Sequence, residues 1–333
     1  MFAFIIRRLF AAVITLLVVS LVVFGIFFMV PKLTGADPAL AYVGKVASPE
    51  AVEGARKKMG FDKPIIEQYA LYVKGIVAGR DYNNGPDVTH CPAPCFGYSF
   101  RNDQDVWSVL LDRAPVTFSL AIGAAVIWLL FGVASGIVSA LRRGKFADRA
   151  MMTIALAGVS LPVYFTGLLA SAIFVYALHL WQPITYVNFA DNPLLWAENL
   201  MLPWITLAFL FAATYARLTR AQMLETMGED YVRTARAKGL KESRVIGKHV
   251  LRSTFTPILT IFGLDLGVLL GGAILTEHAF SLHGLGDLAI NAINNNDLPE
   301  ILGVTLFGAV FVVLANLIVD ILYAVIDPRV RLS

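Results

Sequence analysis

The 333-residue chain is 57% hydrophobic and only 15% charged, with a formal net charge of +3. A soluble domain carries about 25% charged residues, so this composition excludes an ordinary soluble enzyme or binding module. The small positive balance has no aromatic platform beside it and does not point to nucleic acid as a partner.

The first charge-free stretch, 9–31, follows Arg7 and Arg8. A helix needs about 20 apolar residues to cross a hydrocarbon core of roughly 30 Å, so residues 1–31 are predicted to hold transmembrane helix one. A cleaved signal peptide is the competing reading. The stretch is long for a signal core, however, and Pro31-Lys32 offers no small-x-small cleavage site. Residues 32–112 then form a polar segment. It holds a predicted capped helix from Ser48-Pro49-Glu50 to Met59, and a second over 65–77 with Ile65, Tyr69, Tyr72 and Ile76 on one face. A turn-rich loop, 81–102, contains the only two cysteines, Cys91 and Cys95. A disulfide is the expected state, with two free thiols or a site shared with His90 as alternatives. Zinc wants four ligands and only three candidates lie here, so no metal is expected.

Five further charge-poor stretches follow at 114–141, 150–190, 199–216, 253–276 and 301–319. The second is too long for one crossing, but Trp181-Gln182-Pro183 and Asp191-Asn192-Pro193 cut it. It is therefore read as one helix near 150–180, kinked at Pro162, and an outer loop. The total is six transmembrane helices, with 113–327 forming a five-helix block. Gly263, Gly267 and Gly271 recur at i, i+4 and i+8, a flat stripe for close helix packing; Gly132 and Gly136 are a weaker version. Asp265 sits mid-span, where a carboxylate should face a cavity or a partner. It reads equally as a group lining a translocation path or as a buried structural hydrogen bond. The loop 281–295 places Leu285, Leu288, Ala292 and Ile293 on one side of a short helix, which a plain connector explains.

Lysine and arginine in short loops set orientation. Arg7 and Arg8, Arg142 to Arg149, nine basic residues over 217–252, and Arg329 and Arg331 alternate with the segments 181–199 and 277–300, which carry none. Both termini and the 217–252 loop are therefore expected in the cytoplasm, and 32–112 outside. In that loop Glu229 and Asp230 open a predicted helix whose cations fall later, as the helix dipole favours. Gly239 ends it, and 241–251 forms another before Ser253 and Pro257 start helix five. A helix lying on anionic lipid headgroups and a docking element for a partner protein both fit these charges.

The order of residues narrows this choice. Tyr231-Val232-Arg233-Thr234-Ala235-Arg236-Ala237-Lys238-Gly239-Leu240, then Arg244, His249, Arg252 and Pro257, closely resembles the coupling-loop signature of ABC-importer permeases. The branch resembled is the B-type subunit of dipeptide and oligopeptide importers. Arg7-Arg8-Leu9, Gly35-Ala36-Asp37-Pro38-Ala39, Gly271-Gly272 with Glu277, Phe280, Gly284-Leu285-Gly286 and Asp297, and Val319-Asp320 with Asp327-Pro328-Arg329-Val330-Arg331 agree in order. Arg233-Thr234-Ala235 stands where the general motif has Glu-Ala-Ala, and Arg252 replaces its closing proline; both variants are usual in the peptide branch. Asp265 replaces a glutamine-like residue, which is less usual.

The resemblance implies an all-α type I importer permease in the bacterial cytoplasmic membrane, moving di- or oligopeptides by alternating access. It implies a homologous second permease, two cytoplasmic ATPases that bind ATP-Mg, and an extracytoplasmic peptide-binding protein. It gives Tyr231, Arg233, Thr234, Ala235, Arg236, Ala237, Lys238, Gly239 and Leu240 as the ATPase-coupling residues, and it implies a gate or docking element at the outer mouth for the loop 281–295. Asp265, Pro162 and Glu277 are read, from the residues themselves, as lining the translocation path. Import of nickel chelates or glutathione on the same fold is the alternative, and an ion-driven transporter a remoter one. The chain has no Gly-x4-Gly-Lys-Ser/Thr loop, His-Glu-x-x-His or Gly-x-Ser-x-Gly motif. It is therefore not expected to be an enzyme, and an acid–base pair of Asp265 and His278 lacks a further membrane carboxylate or nucleophile.

Overall fold

The structure, a computed structural model, describes residues 2–29, 39, 48–83, 88–182 and 184–326. The Gly35-to-Pro38 and Asp327-to-Arg331 motifs lie outside the described residues. Twelve helices are described, with the bounds that follow. α1 spans Phe2–Phe24 and ends in a π-helical turn, Gly25–Met29; α2 spans Pro49–Met59 and α3 Ile65–Ala78. α4 runs Val106–Leu141, α5 Phe146–Ser160, α6 Val163–Ala177, α7 Pro193–Met227, and α9 Glu242–Leu270. Between α7 and α9 lies α8, Asp230–Ala237; α10 (Ile274–Ala279), α11 (Leu285–Asn295) and α12 (Leu298–Ile326) close the chain.

Five helices are long and apolar enough to cross a membrane, and the pair α5 and α6 makes a sixth segment bent by 99°. At the bend Leu161 and Pro162 are both extended, because a proline ring pushes the residue before it out of the α region. The expected kink is therefore a full break. Two other expectations are also corrected. The crossing expected at 199–216 is a helix of 35 residues. Asn192 caps its start by accepting from the Leu195 amide at 3.1 Å, with Pro193 at the first helical position. At about 1.5 Å per residue α4 and α7 exceed the hydrocarbon thickness and carry structure beyond it. The separate helix expected at 241–251 is continuous with helix five through a π-helical stretch, Val245–Val250. Pro257, lacking an amide, falls inside that helix.

Small residues decide which helices touch. A Cβ on Gly263 would lie 1.9 Å from a methyl of Val319, and one on Gly267 2.9 Å from the Ala315 Cβ. One on Gly271 would sit 3.1 Å from the Gly308 Cα. The glycine stripe thus packs on α12. Gly132 and Gly136 let α4 approach Ala212, Tyr215, Ala216 and Thr219 of α7 equally closely. Over this contact Trp128, fully buried, stacks on Phe211 with ring centroids 4.6 Å apart. α1 lies along α12, its Arg8 paired with Asp320 at 3.0 Å, and leaves much of its apolar surface outward.

The polar segment forms a small subdomain at the opposite end of α1. Two antiparallel hairpins, β1 (Arg80–Asn83) with β2 (Val88–Cys91) and β3 (Tyr98–Ser99) with β4 (Gln104–Asp105), follow α3. Cys91 and Cys95 are joined in a disulfide. The predicted face of α3 is the one that packs: Tyr69 hydrogen-bonds Ser20 at 2.8 Å, and Tyr69 and Tyr72 meet Phe24. Phe96 stacks on Trp107, which meets Phe307 edge-on. Ser99 donates to Asp297, Arg101 to the Asn295 carbonyl, and Asn102 to Glu300 at 2.7 Å. These bonds tie the subdomain to the start of α12.

Gly263→Ala should lower stability by about 1–3 kcal/mol, the usual cost of overpacking. Thermal unfolding of the purified protein checks this, and Val319→Ala in the same background should recover part of the loss, since it removes the clashing methyl.

Candidate functional site: a helical knuckle and two carboxylate clasps

α8 stands at the end of α7 as a short knuckle. Its inward stripe is Val232 and Ala235, three residues apart, which pack on Ala140 of α4, Met223 of α7, and Val245 and Val250 of α9. Leu240, half-buried, closes this cluster. Ala235 is only 6% exposed. Its expected place on the docking surface is therefore corrected: it is a packing residue, turned inward by the helical period. Tyr231, Arg233, Thr234, Arg236, Ala237, Lys238 and Gly239 are exposed. The Tyr231 hydroxyl donates to Ser253 Oγ at 3.0 Å, and Arg236 holds Glu242 through two bonds of 2.7 and 3.1 Å. Gly239 ends the helix at φ +77°, with no atom within 4 Å of a Cβ placed there. That left-handed conformation favours glycine, and the space in front of it is open.

Below the knuckle a buried carboxylate fixes the α4–α5 turn. Asp148 accepts from Ser139 Oγ at 2.5 Å, from the Gly144 amide at 2.8 Å, and from Arg220 Nε and Nη2 at 2.7 and 2.9 Å. Neither Asp148 nor Arg220 was singled out from sequence. The available signal was that Asp148 is the only acidic residue between 114 and 190.

At the other end Glu277 is completely buried. It accepts from Thr117 Oγ1 at 2.7 Å and from the amides of Ala273 and Asp287 at 3.2 and 3.0 Å. The Thr117 oxygen in turn accepts from the Leu285 amide at 2.8 Å. A Cβ on Gly284 would lie 2.6 Å from the Glu277 carboxylate, so the Gly284-Leu285-Gly286 run is the cover that fits around it. With its carboxylate wholly enclosed, Glu277 is a clasp and not, as expected, a path-lining group. Leu285 and Leu288 are buried against α4 and α12 and Ala292 is fully buried, whereas Ile293 is 59% exposed and leaves the predicted face.

Asp265 accepts from the fully buried Tyr215 hydroxyl at 2.9 Å. Of its two readings, the structure carries the hydrogen bond between α7 and α9. Pro162 is exposed at the α5–α6 break. His278 stacks near Tyr164 and is not brought to Asp265. No cluster of metal-ligating side chains occurs among the described residues.

These features define a multi-pass membrane protein with an exposed helical knuckle at one end and a disulfide-braced subdomain at the other. Residues 132–332 match the family model described as the binding-protein-dependent transport system inner membrane component, and residues 1–121 its N-terminal region. The chain is 37% identical over 331 residues to a putative peptide transport system permease protein of Brucella abortus, covering 99% of both chains. It is 35% identical over 353 residues to a di/tripeptide transport system permease protein of Pseudomonas aeruginosa, covering 99% of both. To a glutathione transport system permease protein of Escherichia coli it is 36% identical, again covering 99% of both. An inward-facing structure of the MetNI methionine ABC transporter shares the fold, with a TM-score of 0.51 and 15% identity over 66% of this chain and 97% of that one. The chain belongs to the family of binding-protein-dependent transport system inner membrane components and has the type I ABC importer permease fold.

Glu277→Ala should leave the Ala273 and Asp287 amides without their acceptor, at about 1–3 kcal/mol each. Hydrogen exchange read by mass spectrometry should then be faster over residues 284–288 while α4 and α7 stay protected. Unchanged exchange there would remove Glu277 as the clasp.

Proposed function

We propose that this chain is the permease subunit of an ATP-driven importer of di- or oligopeptides in the bacterial cytoplasmic membrane. The observation that carries the reading is the knuckle. Its inner stripe is fixed to α4, α7 and α9, while Arg233, Thr234, Arg236, Ala237, Lys238 and Gly239 face outward. The residue order Tyr231 to Leu240 and the relatives' names support the same reading. Both termini and the knuckle lie in the cytoplasm, and residues 32–112 lie outside. Two ATPase subunits, binding ATP-Mg, dock on this knuckle and on that of a homologous second permease; an extracytoplasmic binding protein delivers the peptide. This chain contributes the path and the lever and hydrolyses nothing itself. A push on α8 is transmitted because its buried side leaves no slack between it and three membrane helices. Asp265 is assigned to the α7–α9 contact beside the path.

The relative from Escherichia coli named for glutathione transport favours a second cargo of related chemistry, a γ-linked tripeptide. Competition between glutathione and unlabelled dipeptides for uptake separates the two.

In cells expressing the complete system, Gly239→Val should cut labelled dipeptide uptake by roughly tenfold or more, an effect of about 1.4 kcal/mol or greater. Gly239→Asn, which tolerates the left-handed backbone, should be milder. Since the chain itself leaves room at residue 239, normal uptake by Gly239→Val would refute its place in the ATPase contact.

A further inference from the structure

The turn joining α4 to α5 carries Arg142, Arg143, Lys145 and Arg149, all exposed, within eight residues. None of the four makes an ion pair or side-chain hydrogen bond among the described residues. The only acid nearby in sequence, Asp148, is buried and already holds Ser139, Gly144 and Arg220. That clasp holds the turn in one shape, with Gly144 at φ +78°, so the cations are presented on a fixed loop. Beside them Phe146 is 86% exposed and Leu141 48%. The turn joins α4, long and apolar enough to cross a membrane, to α5, the first half of the bent pair.

Four cations without partners, next to an aromatic ring that is turned out, match the chemistry of an anionic phospholipid. The phosphate meets the arginines and the lysine, while the ring enters the boundary between headgroup and acyl chain. We infer that the α4–α5 turn is a binding site for an anionic phospholipid headgroup, held by Arg142, Arg143 and Lys145, with Phe146 seated in the leaflet. A protein occupant is less favoured, because a Phe this exposed between unpaired cations suits a surface that is apolar below and anionic above. The turn shares an end of the bundle with α8, since Ala140 packs on Val232 and Ala235. Naming that leaflet cytoplasmic rests on the orientation proposed above, but the site itself does not.

The test uses the full chain in phosphatidylcholine nanodiscs containing a minor fraction of phosphatidylglycerol. Native mass spectrometry after release counts retained lipid. The parent should retain phosphatidylglycerol in preference to phosphatidylcholine. The preference should fall by about fivefold for each cation removed in the series Arg142→Gln, Arg143→Gln, Lys145→Gln. Arg142→Lys/Arg143→Lys, which keeps the charge, should retain it. In a second arm, Phe146→Trp should give tryptophan emission, above that of the parent, quenched by brominated phosphatidylglycerol. The inference is overturned if the two lipids are retained equally, or if the triple variant keeps the parent's preference. It is also overturned if Phe146→Trp is unquenched, or if the cations become protected only when an ATPase subunit is added. Transport enters none of these readouts, so their failure leaves the importer assignment untouched, and failure of uptake leaves the lipid site untouched.

Discussion

A carboxylate in an apolar bundle is costly unless donors surround it, and this requirement organises both ends of the molecule. Asp148 gathers Ser139 of α4, the Gly144 amide and Arg220 of α7. Glu277 gathers Thr117 of α4 and the amides that open α10 and α11. At each site the donors come from more than one element. Removing either carboxylate would release several elements together, and so the helix ends are more firmly tied than their loop lengths alone would allow.

Between these clasps the packing is set by backbone approach. Lipid offers no hydrophobic drive for helices to associate, so contact depends on small residues and polar bonds. Gly132 and Gly136 bring α4 onto α7, and Gly263, Gly267 and Gly271 bring α9 onto α12. The Tyr215–Asp265 bond then links one pair to the other. A membrane carboxylate that looks like a functional group in sequence here satisfies a structural need.

The five long apolar helices, the glycine stripe, the packed face of α3 and the knuckle were legible because each rests on a short-range pattern. Charge-free length, a spacing of four, and a glycine after a capped helix are all visible locally. The partners of the polar residues were not. Nothing in sequence couples Thr117 to Glu277 or Arg220 to Asp148, because those pairs exist only once distant helices are docked. The direction of Ala235 is likewise set by packing. A small residue in a motif suggests an open surface, but the three-residue spacing from Val232 places it on the stripe that faces Met223 and Val250. Pro162 was seen as a kink, and the break is larger because Leu161 joins it in the extended region.

Rigidity is therefore distributed unevenly. α7 is a continuous helix of 35 residues, clamped to α4 by glycine contacts and to the α4–α5 turn by Arg220, and it carries the knuckle at its end. The π-helical stretch Val245–Val250 begins α9 directly beneath that knuckle, with Val245 and Val250 both buried in its cluster. A π-helical turn is a local irregularity in the i→i−4 ladder, often found at functional positions. The α5–α6 break interrupts the ladder altogether at Pro162. α4 and α6 carry π-helical stretches of their own, Leu129–Val133 and Ser171–Ala177, so among α4, α6, α7 and α9 only α7 runs without such an interruption.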